Sequence, residues 1–385
     1  MSLILALNYG SSSLKFKLLD LAVEGARAVT QGSVDSLAPG ALGIESVVRT
    51  LAEAGCSVGM VAGVGHRVVH GGTLGAPVQI DDEVVAAIER ASALAPLHNA
   101  AALRGIREAQ AAFGHETPMV AVFDTAFHHT LPEHAALYAL PLAVSRRHGI
   151  RRYGFHGISH RYAALRYAEI TDQRPDAVTI VTLHLGNGCS ATAVRNGRSV
   201  DTSMGFTPLE GLMMGTRSGD IDPALVGYLQ GREGGTVAEI ERLLNHQSGL
   251  LGVSGLSHDV RQLLEAEAAG DEAAHLALEM FCYRVRKYVG AYLAALGGAE
   301  AIIFTGGIGE HAAPLRARIG QGFEWAGLQM DDRRNADAIG RESRISADHS
   351  RLQAYVIPTD EELMIARETV ECIDRATHSS RRRSR

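Results

Sequence analysis

Several residue types are scarce in this chain, and each shortage closes off a class of function. The four cysteines, Cys56, Cys189, Cys282 and Cys372, lie far apart and form no C-x-x-C pair. That argues against a disulfide framework and against a zinc site. Proline is sparse at 11 residues while glycine reaches 42, a balance suited to a folded chain with many tight turns rather than a disordered one. No stretch approaches the roughly 18 uninterrupted apolar residues of a membrane span. Surplus positive charge is missing too: the net charge is −6, which gives no hint of nucleic-acid binding. The opening MSLILALNYG lacks a charged leader and reads as a buried strand, not a signal peptide. A cytoplasmic, reducing location is the expectation. The closing HSSRRRSR reads as a frayed, solvated tail.

What is present is a long chain with a large apolar share. Its 385 residues are 46% hydrophobic, and at about 100–200 residues per domain two domains are expected. The order of elements reads as α/β. Leu3–Leu7 and Leu14–Leu19 flank a small polar turn, Asn8-Tyr9-Gly10-Ser11-Ser12-Ser13, as in a hairpin. Val61–Val69 and Met119–Phe123 read as strands, the second delivering Asp124, and Asp81–Ala93 as a helix capped by Asp81. A second hairpin, Val178–His184 and Ala191–Val194, surrounds Gly186-Asn187-Gly188. The recurrence hints at duplication. Later come Asp222-Pro223 as a helix start, a capping box at Thr236 and Glu239, and a long helix from Asp271 to Leu296 stopped by Gly297-Gly298. The strand Ile302–Phe304 runs into a glycine turn, and Val356–Ile357 precedes a last helix.

Three glycine-rich turns follow buried strands: around Gly10, around Gly186–Gly188, and at Gly306–Gly309. Glycine lets a backbone N–H approach an anion, and serine adds donors. Each turn alone suits a structural role as well, and none is a G-x-x-x-x-G-K-[ST] loop. Arg67 and Arg217 lie among glycines, which would let a carboxylate or phosphate reach the guanidinium fork. Asp124 follows a strand and Glu361 opens a helix; either carboxylate suits Mg²⁺ held with nucleotide phosphates, and Glu361 equally suits a helix-terminus acid. Asp220 and Asp222 read as caps. His156 and His160 are spaced i, i+4, but glycine stands where H-E-x-x-H needs glutamate, so zinc is disfavoured. His156 fits better as a donor to developing negative charge. His98 and His184 read as structural.

Together these segments resemble the acetate kinases of the acetate and sugar kinase, Hsp70 and actin superfamily. The likeness rests on Asn8-x-Gly-Ser-Ser-Ser-Leu-Lys15, Gly65–Gly72, Leu94–Asn99, Phe123–His128, Arg152–Gly157, His184–Gly188, Met214–Asp220 and Glu361–Met364. It implies two duplicated ribonuclease-H-like (actin-like ATPase) domains with an interdomain cleft. The expected division is 1–148 plus 372–385 for the first domain and 149–371 for the nucleotide-binding, dimerising second. Carried over residue by residue, the resemblance makes Asp124, Arg217, His156 and Arg67 catalytic, with His156 and Arg217 stabilising the transition state. Arg67, Val69, Leu97 and Pro208 would take the short acid, and Asn8 and Glu361 would hold Mg²⁺, with Mn²⁺ as an alternative. ATP or ADP, the co-substrate, would lie by Ser11, Ser12, Ser13 and Lys15. Its other contacts would be His184, Leu185, Gly186, Asn187 and Gly188, then Asp259, Val260 and Arg261, then Gly307, Ile308, Gly309 and Glu310. A homodimer with no nucleic-acid or membrane partner is implied. Departures from the family pattern are Tyr9, Cys189, Val260, Gly306, His311 and Asp360, which bear on nucleotide and metal preference.

The implied reaction is direct in-line transfer of the γ-phosphoryl group of ATP to acetate. Such transfer needs positioning and charge neutralisation more than covalent chemistry. Acetate is already ionised at neutral pH, so no general base is required. Two rivals stand beside this reading: a propionate or butyrate kinase, and an actin- or Hsp70-like ATPase switch without an acceptor.

Overall fold

The segment LILALNY is apolar on both faces of a strand, as a central sheet strand must be, and all of β1 (Leu3–Tyr9) is buried. The computed structural model describes residues 3–10, 13–23, 25–35 and 43–383, without the side chains of Asp35, Pro96, Leu97 and 379–383. It divides into two compact units, Met1–His129 with Asp360–Arg385, and Thr130–Thr359.

In the first unit β1 pairs antiparallel with β2 (Ser13–Asp20), and β2 with β3 (Arg27–Asp35). On the other side of β1 lies β4 (Val61–Val68), parallel. Beyond β5 (Val78–Gln79) in the chain comes β6 (Met119–Phe123), which runs parallel to β4 and carries β5 antiparallel on its outer edge. The sheet order is β3-β2-β1-β4-β6-β5.

The second unit builds its sheet from β7 (Ile180–Leu185), β8 (Cys189–Arg195), β9 (Arg198–Thr202), β10 (Ala301–Thr305), β11 (Ser343–Arg344) and β12 (Gln353–Val356). Its order is β11-β12-β10-β7-β8-β9. Read from the other end and matched strand for strand, this is the first sheet again. The senses also match: β7, β8 and β9 are antiparallel, β7–β10–β12 parallel, and β11 antiparallel to β12. The duplication hinted at by two glycine hairpins therefore extends over six strands each, as two ribonuclease-H-like domains require. The sequence reading missed β3, β9 and both two-residue edge strands, whose mixed composition carries no period-2 signal.

The division of the chain differs from the expected one. The final helix, Glu361–Arg383, packs on β1, β4 and β6. It buries Met364, Ile365, Ala366, Glu368 and Thr369, and Cys372 Sγ donates to Pro77 O at 3.5 Å. A boundary at 371/372 would cut this helix in two. The helix also runs to Arg383, so the backbone of most of the expected tail is helical. Residues 130–148 go with the second unit: Thr130 Oγ1 donates to Ser199 O at 2.8 Å, and Phe206 N to Tyr138 Oη at 2.7 Å.

Several local signals hold. Asp81 Oδ1 accepts from Val84 N and caps the helix Asp82–Ala91. Thr236 and Glu239 form the capping box of Val237–His246. Asp271 caps Glu272–Leu296, which Gly297 ends in a left-handed conformation. Asp222 accepts from Ala224 N just ahead of the helix Ala224–Glu233. Asp220 caps no helix; it accepts from Gly211 N at 2.8 Å and from Tyr288 Oη at 2.6 Å.

Tyr9, a departure from the family pattern, is 2% exposed and points into the core beneath the first sheet. A Cβ on Gly105, in the helix Pro96–Phe113, would lie 2.2 Å from its ring. Gly105→Ala is thus expected to lower stability by about 2–3 kcal/mol through overpacking. The Tyr9 hydroxyl finds no hydrogen-bond partner among the described residues, so Tyr9→Phe is expected to be neutral or stabilising by up to about 1 kcal/mol. Urea unfolding of a double-mutant cycle with Tyr9→Ser tests the pair: the alanine penalty must shrink when the ring is gone.

Candidate active site

Three adjacent strand ends in the first unit deliver one hydrogen-bonded chain of charged groups. Asn8 is the penultimate residue of β1, Arg67 the penultimate residue of β4, and Asp124 follows β6, its N–H bonded to Val68 O at 3.0 Å. Parallel strands put their C-terminal ends on one edge, which gathers these side chains. Arg67 grips Asp124 in two-pronged fashion, Nε to Oδ1 at 3.0 Å and Nη2 to Oδ2 at 2.6 Å, and its Nη1 donates to Asn8 Oδ1 at 2.9 Å. Asn8 Nδ2 in turn donates to Glu361 Oε2 and Glu362 Oε1, both at 3.0 Å. Asp124 is only 1% exposed. Burial pushes its carboxyl up, and the Arg67 guanidinium opposes that rise. For Arg67 burial works against the charge, but Asp124, Glu361 and Glu362 more than offset it and hold its pKa above the ordinary value.

Around this chain Lys17 pairs with Asp360 at 2.7 Å. Lys15 is exposed and sits opposite Asn8 in the β1–β2 register. Ser13 opens β2 and its carbonyl accepts from Gly10 N at 2.8 Å; Ser11 and Ser12 lie outside the described residues. Val69 is buried, and the Leu97 side chain is likewise outside the description. Asn99 holds the loop after β4: its Oδ1 accepts from His70 N at 3.0 Å and its Nδ2 donates to His70 O at 2.9 Å.

In the second unit the turn Gly186-Asn187-Gly188 joins β7 to β8, with Gly186 N bonded to Gly188 O at 3.0 Å. His156 and Arg217 meet beside it. A Cβ built on Gly188 would lie 3.3 Å from His156 Nε2 and 3.5 Å from Arg217 Nη1. His156 caps the helix Gly157–Ile170 in a left-handed conformation, φ 56°, that a non-glycine residue adopts only when its surroundings force it. Its ring stacks on His184 with centroids 4.2 Å apart, and its Nδ1 is 2.9 Å from Ser190 Oγ. Arg217 donates to Pro208 O at 3.0 Å. Among the described residues no carboxylate lies within salt-bridge distance of it, and burial holds its pKa below the ordinary arginine value.

The loop carrying Arg217 is fixed by backbone bonds. Gly215 N donates to Asn187 O, Met214 N to Arg217 O and Leu250 N to Met214 O. The glycines beside Arg217 are needed for this path. A Cβ on Gly215 would lie 2.2 Å from Asn187 Oδ1, and Gly219 has φ +68°. The same holds near Arg67, where a Cβ on Gly71 would lie 2.7 Å from the Phe123 ring.

The remaining nucleotide candidates fall into two groups. Gly306–His311, expected as a turn, is a short helix directly after β10. Gly307 and Ile308 lie on it, Gly309 packs on Phe304, and Glu310 Oε1 accepts from Gly306 N at 2.9 Å and Thr359 N at 3.0 Å. Leu185, which ends β7, is fully buried. Asp259 caps the helix Val260–Ala268 and is gripped by the exposed Arg261, while Val260 faces the core at 4% exposure.

Residues 36–367 match the acetokinase family. The chain belongs to the acetokinase family. It is 50% identical to the acetate kinase of Solibacter usitatus over 96% of this chain and 98% of that protein. Among solved structures, an acetate kinase of Porphyromonas gingivalis superposes with a TM-score of 0.90 at 42% identity, covering 97% of this chain and all of that one. A propionate kinase of Francisella tularensis superposes with a TM-score of 0.88 at 41% identity, covering 96% and 100%.

Within this acetokinase the departures from the family pattern have local explanations. Tyr9 is accommodated by Gly105, Asp360 is neutralised by Lys17, and the buried Cys189 thiol, pushed up to about 12 by burial, donates to Gly186 O at 3.1 Å. Gly306 has φ +76° and lies against the Leu185 backbone. The His311 ring closes on Gly340. What sequence reasoning missed is the support around the candidates. Ser190, His160, Thr182, Ser159 and Thr359 form hydrogen bonds behind the histidine pair. Arg316, fully buried, donates to Gly309 O, Glu310 O, Ala338 O and both oxygens of Asn335. No spacing rule links such distant positions.

Proposed function

We propose that the chain is an acetate kinase that reversibly transfers the γ-phosphoryl group of ATP to acetate, giving acetyl phosphate and ADP by direct in-line displacement. The observation that carries this reading is Arg217: a largely buried cation with no acidic partner among the described residues, beside His156 Nε2. An uncompensated buried charge is unfavourable unless an anion completes it. Arg67 is the contrasting case, oriented by Asp124 and Asn8. In the reaction Arg67 and Arg217 hold the acetate carboxylate and the migrating phosphoryl group, and His156 Nε2 donates to its oxygens. Asp124 orients Arg67 and takes no proton.

Asn8, Glu361 and Glu362 form a hard oxygen set. Such donors suit Mg²⁺, an ion that keeps waters and substrate oxygens in its shell. Asn8 and Glu361 would hold it, directly or through water, and when bound it would neutralise phosphate charge. ATP or ADP would lie along Ser13, Lys15, the Gly186–Gly188 turn, the Asp259–Arg261 helix start and the Gly307–Glu310 helix, with Val69, Leu97 and Pro208 taking the methyl group of acetate.

A homodimer through the second unit is supported by exposed Leu225, Tyr228, Val237 and Leu243 on the helices Ala224–Glu233 and Val237–His246. A cytoplasmic location is supported by four free, buried cysteines. No helix among the described residues is long and apolar enough to cross a membrane.

Hydroxamate trapping of the acyl phosphate formed from ATP, Mg²⁺ and a panel of acids is the test. Acetate is expected to give the highest kcat/KM, with propionate lower by about tenfold, the scale of one methylene in a fitted pocket. Propionate or butyrate turning over faster would move the chain to the neighbouring specificity, and acid-independent ADP formation would favour an ATPase switch.

A further inference from the structure

Behind His156 lies a buried chain of hydrogen-bonding groups with no part in the transfer itself. His156 Nδ1 is 2.9 Å from Ser190 Oγ, Ser190 Oγ is 2.7 Å from His160 Nε2, and His160 Nδ1 is 2.7 Å from Thr182 Oγ1. Ser190, His160 and Thr182 are all fully buried. Ser190 stands in β8 and Thr182 in β7, so the sheet fixes both hydroxyls, while His160 projects from the helix that His156 caps.

The proton count in this chain restricts His156. A serine hydroxyl carries one hydrogen and can give it to only one of two flanking imidazoles; the other must donate to it. With neutral rings two patterns remain. In the first, Thr182 donates to His160 Nδ1, His160 Nε2–H donates to Ser190, and Ser190 donates to His156 Nδ1. His156 then carries its hydrogen on Nε2, the atom beside Arg217. In the second every bond is reversed and His156 Nε2 is a bare lone pair, which repels a phosphoryl oxygen. Protonating His156 would also put a hydrogen on Nε2, so it is the neutral ring whose tautomer this chain selects.

We infer that the Thr182–His160–Ser190 chain sets the tautomer of His156, so that a neutral imidazole presents Nε2–H to the transferring group; Ser190, His160 and Thr182 are positioning residues for the reaction. This inference rests on the proposed donor role of His156, and it predicts a state of the free protein that can be observed without substrate.

Thr182→Val removes the far hydroxyl at nearly constant volume, two hydrogen bonds away from His156, and Thr182→Ser restores it. In ¹⁵N–¹H correlation spectra of the full chain labelled at histidine, with signals assigned through His156→Gln and His160→Gln, the parent protein is expected to show His156 in the Nε2–H form. Thr182→Val should populate the Nδ1–H form, lower kcat by about tenfold and leave both KM values within about twofold, and Thr182→Ser should return both readouts. Ser190→Ala cuts the chain at a second point and should do the same if Thr182→Val folds poorly. A parent His156 in the Nδ1–H form overturns the inference. So does a His156 tautomer unmoved by cutting the chain at both points. Loss of acetate turnover in the parent protein would sink the functional reading alone, because the spectrum needs no substrate.

Discussion

Arg217→Lys is expected to lower kcat/KM for acetate by a factor on the order of 10³ while the protein stays folded. Lysine keeps the positive charge but replaces a planar fork with a point donor, and it cannot hold the Pro208 carbonyl and a ligand oxygen at fixed angles together. The companion variant Arg217→Gln separates function from structure. Burial holds the Arg217 pKa down and no acid among the described residues balances it, so the folded state carries this charge at a cost. Removing it is expected to abolish transfer and leave the midpoint of urea unfolding unchanged or higher, with at most about 1 kcal/mol lost from the bond to Pro208 O. A marked drop in stability on removing the charge would show Arg217 to be a structural cation and would overturn its assignment to an anion site.

Asp124→Asn should reduce kcat to a similar extent, but with the opposite thermodynamic sign. Both Asp124 oxygens accept from Arg67, and the carboxylate is almost wholly buried. Asparagine offers one acceptor and turns an N–H pair toward a guanidinium that has only donors. Breaking a buried pair from one side strands the remaining charge, a loss of about 3 kcal/mol. Glu361 and Glu362, already near Arg67, keep the loss from being larger. Expected together are a lower urea midpoint and a kcat reduced by about 10²–10³. Full stability with lost activity would recast Asp124 as a group that meets the substrate itself.

These two residues show how far sequence reading reaches. Asp124 and Arg67 are legible because one directly follows a five-residue apolar run and the other lies next to the end of an eight-residue strand, where polar side chains leave the core. Asn8 and the Gly186–Gly188 turn were visible for the same reason. The glycines near Arg67 and Arg217 have a packing role that the sequence does not show: a side chain on Gly71 would meet Phe123, and one on Gly215 would meet Asn187. Asp220 reads as a cap in the sequence, yet its side-chain partners are Gly211 N and Tyr288 Oη, the latter 68 positions away.

By itself the sequence determined much of the local content: the buried central strands, the caps at Asp81, Thr236 and Asp271, the two similar hairpins, and which charged residues sit at strand ends. Those follow from nearest-neighbour chemistry and the periods of helix and strand. Only the tertiary structure decided that the last helix belongs to the first sheet, that the two sheets repeat strand for strand, that Tyr9 is housed by Gly105, and that Arg67 pairs with a carboxylate whereas Arg217 has none among the described residues. Each of these is set by groups distant in sequence, whose desolvation and hydrogen-bond satisfaction exist only once the chain has brought them together.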